Sequence, residues 1–409
     1  MKRIVILGTG TAGTIMANQL SRKINHKNWI ITIIDEHEYH YYQPGFLFIP
    51  FGYYTEKDVV RNKQKFLPKA AEFLQETVEL IIPGSNAIKL KSGKSISYNI
   101  LIIATGAKIV PAEVEGLTDS GWDENIFDFY TLEGSIALAK KLKNWTGGRL
   151  VIHIAEMPIK CPVAPLEFSF LADAFFMKKG IREQVDITFI TPLSGAFTKP
   201  KASEVLGHLL AKKNINLITD FDVERVNGSS NQIVSYDKRK VDFDLLVSVP
   251  TNMGDSVIER SGLGDDLNFI PTQKHNLQSK KYENIFVIGD ATDLPSSKAG
   301  SVAHFQAETL TKNVINFIDH KPLLDEFDGH ANCFIESGFG KGFLIDFNYD
   351  TEPLEGRFPI PILGPMTLLG ESKSNHWGKL AFKWIYWSVL LKGLPLPGIS
   401  AQMSKAGKK

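Results

Sequence analysis

The sequence predicts an α/β protein made of two Rossmann-like dinucleotide-binding domains, the second degenerate, followed by a C-terminal membrane-associating region. Three observations carry that expectation. A glycine-rich turn joins two apolar β-type runs at the N-terminus. A second strand of the same kind, in mid-chain, runs into methionine, proline and cysteine instead of glycines. The last stretch is rich in tryptophan and lysine and has no acids. The 409-residue chain is long enough for two or three domains, and 43% hydrophobic content is ordinary for a globular protein. Lys and Arg total 46 against 45 Asp and Glu, which gives no reason to expect a nucleic-acid partner.

"RIVILG" is an apolar strand, "TGTAGTIMANQLSRKI" a glycine turn opening a helix, and "WIITIIDEH" a second strand ending in an acid. Gly8, Gly10 and Gly13 fit G-x-G-x-x-G. The first allows the tight turn, the second lets a pyrophosphate approach the backbone, and the third lets helix pack on strand. Asp35, at the end of the second strand, is placed to accept hydrogen bonds from a ribose. "SISYNILIIATGAK" reads as another strand, ending at Ala104, Thr105 and Gly106. Late in the chain, "YENIFVIGDATDLPSSKAGSVAHFQAETL" reads as a strand ending in Gly289 and Asp290, then a loop, then a helix from about Ala299. Asp290 suits a ribityl chain. The helix start near Gly300 aims free N–H groups at what precedes it, and Lys298 can add a full charge, which suits an anionic flavin ring.

These motifs resemble the flavoproteins of the pyridine nucleotide-disulfide oxidoreductase superfamily over residues 1 to about 320. The resemblance implies FAD, held by Gly8 to Gly13, Asp35, Thr105, Gly106, Gly289 and Asp290. Members that use NADH or NADPH open their second domain with another glycine turn. Here the strand "GGRLVIHIAE" is followed by Met157, Pro158, Ile159, Lys160, Cys161 and Pro162. Side chains there block a pyrophosphate, and each proline removes an N–H donor. Cys161 precedes a probable helix, "PLEFSFLADAFFMKKG". A thiol near a helix N-terminus and beside Lys160 is expected to have its thiolate favoured. Cys161 and Cys333 are the two cysteines of the chain. With no C-x-x-C pair and no histidines at metal spacing, no metal site is expected, and the two are either buried structural thiols or one redox couple.

"KCPVAPLEF", "KPKASEVLGHLLAKKNI", "NCFIESG" and "HWGKLAFKWIYWSVLLKG" extend the likeness nearly end to end and narrow it to the sulfide:quinone oxidoreductase family. That resemblance implies that Cys161 and Cys333 form a disulfide, often bridged by extra sulfur, over one face of the flavin, with Cys333 the nearer. It implies oxidation of sulfide to zero-valent sulfur or polysulfide, with electrons passing through FAD to a membrane quinone. Two departures stand out. The segment from Ile126 to Leu132 lacks the third cysteine of many members, which puts any three-thiol mechanism in doubt. Tyr41 and Tyr42 stand where flavocytochrome sulfide dehydrogenases tether FAD through a cysteine, so non-covalent flavin is expected.

Read this way, residues 1–110 and 250–320 form the FAD-binding domain, 111–249 a second domain carrying Cys161 without a nicotinamide site, and 321–409 a C-terminal domain carrying Cys333. From Ser372 onward there are seven lysines (Lys373, Lys379, Lys383, Lys392, Lys405, Lys408 and Lys409) and no Asp or Glu. Trp377, Leu380, Ala381, Trp384, Trp387 and Leu391 fall on one helical stripe, which with flanking lysines suits a membrane surface. No stretch is long enough to span a bilayer and the N-terminus reads as a strand rather than a signal. A peripheral, monotopic place on the cell membrane is therefore expected. Phe339, Phe343, Phe358 and Lys379 are candidates for the quinone passage. A homo-oligomer stays open, as do two other functions: an NADH:quinone oxidoreductase, or a non-catalytic flavoprotein subunit that carries sulfur or relays electrons.

Overall fold

The computed structural model describes residues 1–396 and 398–409. Two five-stranded parallel sheets organise it. In the first, the order is Ile285–Val287, Ile100–Ile103, Lys2–Leu7, Trp29–Asp35 and Glu72–Gln75. In the second it is Ile126–Phe127, Leu245–Val249, Gly148–Ile154, Val185–Ile190 and Ile215–Ile218. Central strands of both are apolar on both faces, as parallel sheets covered on each side require. Ile4 pairs with Ile31 on one flank and Ile100 on the other, so the strand after Met1 sits mid-sheet. The chain passes between the sheets twice, and the two passages pair as antiparallel strands, Ala107–Ile109 with Asn252–Gly254.

The helix Thr11–Ser21 starts without a side-chain cap, leaving its first N–H groups free where the strand Lys2–Leu7 ends. The helix Ala164–Lys179 follows Cys161, is buried along most of its length, and stops at Gly180, whose φ of +76° supplies the left-handed residue that ends a helix. The helix Gly300–Ile318 also begins uncapped. A four-stranded sheet then forms in the order Ala331–Gly338, Lys341–Phe347, Met366–Leu368 and Gly356–Phe358. The helix Lys373–Ile385 packs across it.

Two expectations are corrected. The stretch Ser95–Lys108 is not one strand. Ser95–Ser97 belongs to a small antiparallel sheet, and after a break at Tyr98 and Asn99 the chain enters the first parallel sheet at Ile100. Asn99 bonds to Arg3 through both its N–H and its side-chain oxygen, which pins the break. The tryptophan stripe is also not one face. Trp377, Ala381 and Trp384 are exposed, but Trp387 and Leu391 are buried. The helix passes at Tyr386–Leu390 into a π-turn, and that extra residue per turn rotates the later side chains inward. The lysine-rich tail is partly neutralised within the molecule, since Lys379 pairs with Glu167, Lys383 with Asp58 and Lys408 with Asp346.

Candidate active site

A cavity of about 880 Å³ runs from the glycine turn, past both cysteines, to the C-terminal helix. Its first end is made by backbone. A Cβ on Gly8 would come 2.5 Å from the Ala104 carbonyl oxygen, and one on Gly13 would come 1.9 Å from that of Gly8. A Cβ on Gly10 would meet nothing within 4 Å. Gly8 and Gly13 are therefore glycine for the fold, and Gly10 leaves room for something the chain does not itself supply. Thr105 also lines this cavity, and its hydroxyl is buried without a partner. Gly106, Gly289, Asp290 and Gly300 line the same space. These features fit a dinucleotide flavin, which the open backbone at Gly10 and the uncapped helix start at Gly300 would hold.

Asp35 is more occupied than the sequence suggests. Its Oδ2 lies 2.7 Å from Lys63 Nζ and accepts the Thr9 N–H and hydroxyl, both at 2.6 Å, while Oδ1 takes the His37 N–H. Burial raises its pKa, but Lys63 and Thr9 outweigh that and hold the carboxyl below its usual range. Lys63 is a cavity residue that sequence reading missed, because "RNKQKF" carries no motif. Lys298 lines the cavity too, but its ammonium donates to the carbonyls of Asp290 and Thr292 and rests 3.7 Å from the Phe269 ring centre. Burial lowers it to about 8.

Cys161 and Cys333 both line this cavity and carry free thiols. Cys161 is held by its backbone: its N–H donates to the Lys298 carbonyl at 2.7 Å, and its carbonyl accepts from Ala164 N–H and the Tyr130 hydroxyl. Its φ is +47°, a left-handed geometry unfavourable for a side chain with a Cβ and kept only because these bonds fix it. Cys333 is 8% exposed on the strand Ala331–Gly338, and burial pushes its thiol well above the usual range.

The expectation that Lys160 favours the Cys161 thiolate is corrected. Burial pushes the Cys161 thiol up to about 12, and the Glu167 carboxylate adds to that. Lys160 turns its ammonium to Gln43, and the cation opposing the shift is Lys379. Lys379 Nζ lies 2.8 Å from Glu167 and donates to the Phe334 carbonyl at 3.1 Å. Glu167 and Lys379 are both cavity residues, and Glu167 was not foreseen.

Of the residues expected along a quinone passage, Phe358 and Lys379 line the cavity. Phe339 sits outside it, 57% exposed on the hairpin turn, with Lys213 over its ring. Phe343 is buried within the sheet. Trp384, Ile385 and Val389 line the cavity's far end instead.

The fold and site define a two-dinucleotide-domain flavoprotein oxidoreductase. Residues 2–153 match the pyridine nucleotide-disulphide oxidoreductase family. The mitochondrial sulfide:quinone oxidoreductase of Dictyostelium discoideum is 30% identical over 400 residues, covering 96% of this chain and 86% of that protein. That of Mus musculus is 26% identical over 396 residues, covering 95% and 86%. The crystal structure of the enzyme from Aquifex aeolicus superposes with a TM-score of 0.80 at 23% identity, covering 96% of this chain and 92% of that one. The chain belongs to the sulfide:quinone oxidoreductase family.

Proposed function

We propose that this protein oxidises hydrosulfide at a Cys161/Cys333 couple and passes the electrons to a membrane quinone. The observation that carries the reading is that both cysteines, 172 positions apart in the chain, line one cavity with the glycine turn. The loop Met157–Pro162 offers no glycine cradle for a nicotinamide nucleotide. FAD, bound without a covalent link, supplies the two-electron carrier between sulfur and quinone.

Hydrosulfide attacks the disulfide of the oxidised couple. One S–S bond forms as another breaks, leaving a persulfide on one cysteine and a thiolate on the other. Burial disfavours that thiolate, and the Lys379 ammonium compensates for part of the cost. Overall, HS⁻ + quinone + H⁺ gives zero-valent sulfur + quinol, the sulfur leaving as such or as polysulfide. The quinone enters from the lipid side. Trp384 both lines the cavity and is exposed, and Trp377, Ile360, Ile362 and Leu363 are exposed apolar residues that suit the headgroup region. No helix among the described residues is long and apolar enough to cross a membrane, so attachment would be to one face.

The test is the visible flavin spectrum of the purified protein under anaerobic sulfide, then a quinone analogue, with NADH as a parallel reductant. Bleaching by sulfide and recovery with quinone are expected. Cys161→Ser and Cys333→Ser should keep the flavin and lose the bleaching. Bleaching by NADH and not by sulfide would overturn the reading.

A further inference from the structure

The proposed reaction, on which this inference rests, has a proton balance that the cavity must meet. Oxidation of HS⁻ to zero-valent sulfur yields two electrons and one proton, whereas reduction of quinone to quinol takes two of each. One proton therefore has to enter from solvent in every turnover, and of the acid–base groups that line the cavity the pair nearest the Cys333 strand is largely buried, Glu167 completely and Lys379 to 8% exposure.

We propose that Glu336 and His376 form the entry route for this proton, between solvent and the Glu167–Lys379 pair. Glu336 is 2% exposed on the strand that carries Cys333, and its backbone N–H donates to Glu167 at 2.8 Å. Its carboxylate faces His376 Nδ1 at 2.9 and 3.0 Å. His376 stands on the C-terminal helix one turn before Lys379, and its side chain is 10% exposed. Glu336 is thus joined to Glu167 through its backbone and to His376 through its carboxylate, and His376 adjoins the exposed Trp377.

The titratable groups facing Glu336 are His376 and Lys379 from that helix, Glu167 from the helix after Cys161, and Tyr53 and Tyr54 from the first domain. Burial raises the Glu336 carboxyl to about 7, which lets it both take and give a proton near neutrality. Glu336 and His376 act through Lys379 and Glu167, so their role is to position and supply the proton rather than to touch substrate.

The experiment uses the purified holoprotein as wild type, Glu336→Gln and His376→Asn. First, with no substrate present, infrared difference spectra across pH 5 to 9 are expected to show a buried carboxyl C=O band titrating near 7. The band should be lost in Glu336→Gln and displaced in His376→Asn. Second, the flavin is reduced by light, so the sulfide step does not enter, and is mixed with a quinone analogue. Reoxidation is expected to slow about tenfold in either variant, to lose its pH dependence near neutrality in Glu336→Gln, and to recover in part when imidazole is added to His376→Asn. Variants that match the wild type in rate, pH profile and infrared band would overturn the route. A wild-type flavin that quinone does not reoxidise would overturn the proposed acceptor, and the route with it. If Glu336→Gln loses its flavin, His376→Asn alone decides the matter.

Discussion

Lys379 and Glu167 form a buried ion pair, 2.8 Å apart, between helices separated by more than half the chain. Glu167 is fully buried and Lys379 only 8% exposed, so the carboxylate depends on the ammonium for its charge balance. Lys379→Met leaves Glu167 unpaired in an apolar wall, at a cost of about 3 kcal/mol. Thermal unfolding should shift down by several degrees, and adding Glu167→Gln should recover most of the loss. An unchanged melting temperature in the single variant would mean that the pair contributes nothing.

The thiols give a pH prediction. Burial lifts the Cys161 thiol to about 12 in the folded chain, against 9.0 for a thiol in water. Between those values the folded state binds more protons than the unfolded one, so this contribution to stability is complete below about 9 and is lost as pH rises toward 12. The same shift leaves roughly one thiolate in 10⁴ at pH 8. Alkylation of Cys161 by iodoacetamide should therefore climb about tenfold per pH unit from 7 to 10. A plateau below pH 8 would reveal a stabilised thiolate instead.

Gly10 and Gly13 should fail differently. Gly10→Val places its side chain in open cavity space, so the protein should fold and purify with little flavin. Gly13→Ala drives a Cβ to 1.9 Å from the Gly8 oxygen, which the turn cannot absorb, and the expected result is loss of soluble, folded protein. Flavin absorbance per polypeptide and circular dichroism distinguish the two outcomes. Equal flavin loading in Gly10→Val would disprove the pyrophosphate seat.

Trp377 and Trp384 are each 67% exposed, and Trp384 lines the cavity's far end. Replacing both by Ser should reduce co-sedimentation with anionic phospholipid vesicles about tenfold or more, while flavin reduction by sulfide in solution continues. Unaltered vesicle binding would remove this face from the membrane-attachment account.

The first dinucleotide unit was legible because its chemistry is local. Gly8, Gly10, Gly13 and Asp35 lie within one strand–helix–strand stretch, and the backbone there can take one course. Lys63, Glu167 and the Glu336–His376 pair were not legible, because each gains its meaning from a partner brought by tertiary structure, as Lys63 does from Asp35. The tryptophan stripe misled because a uniform helical period was assumed, and the π-turn at Tyr386–Leu390 breaks it. The thiol environment misled because sequence neighbours were weighed and burial could not be.

The left-handed Cys161 has a consequence for biosynthesis. Its loop is tied to the carbonyl of Lys298, and the counter-ion of the helix behind it arrives with Lys379. While the ribosome has made only the two dinucleotide domains, Glu167 has no cation and Cys161 has no partner thiol. The ion pair that neutralises Glu167 is thus completed only after the last helix has been made and has docked.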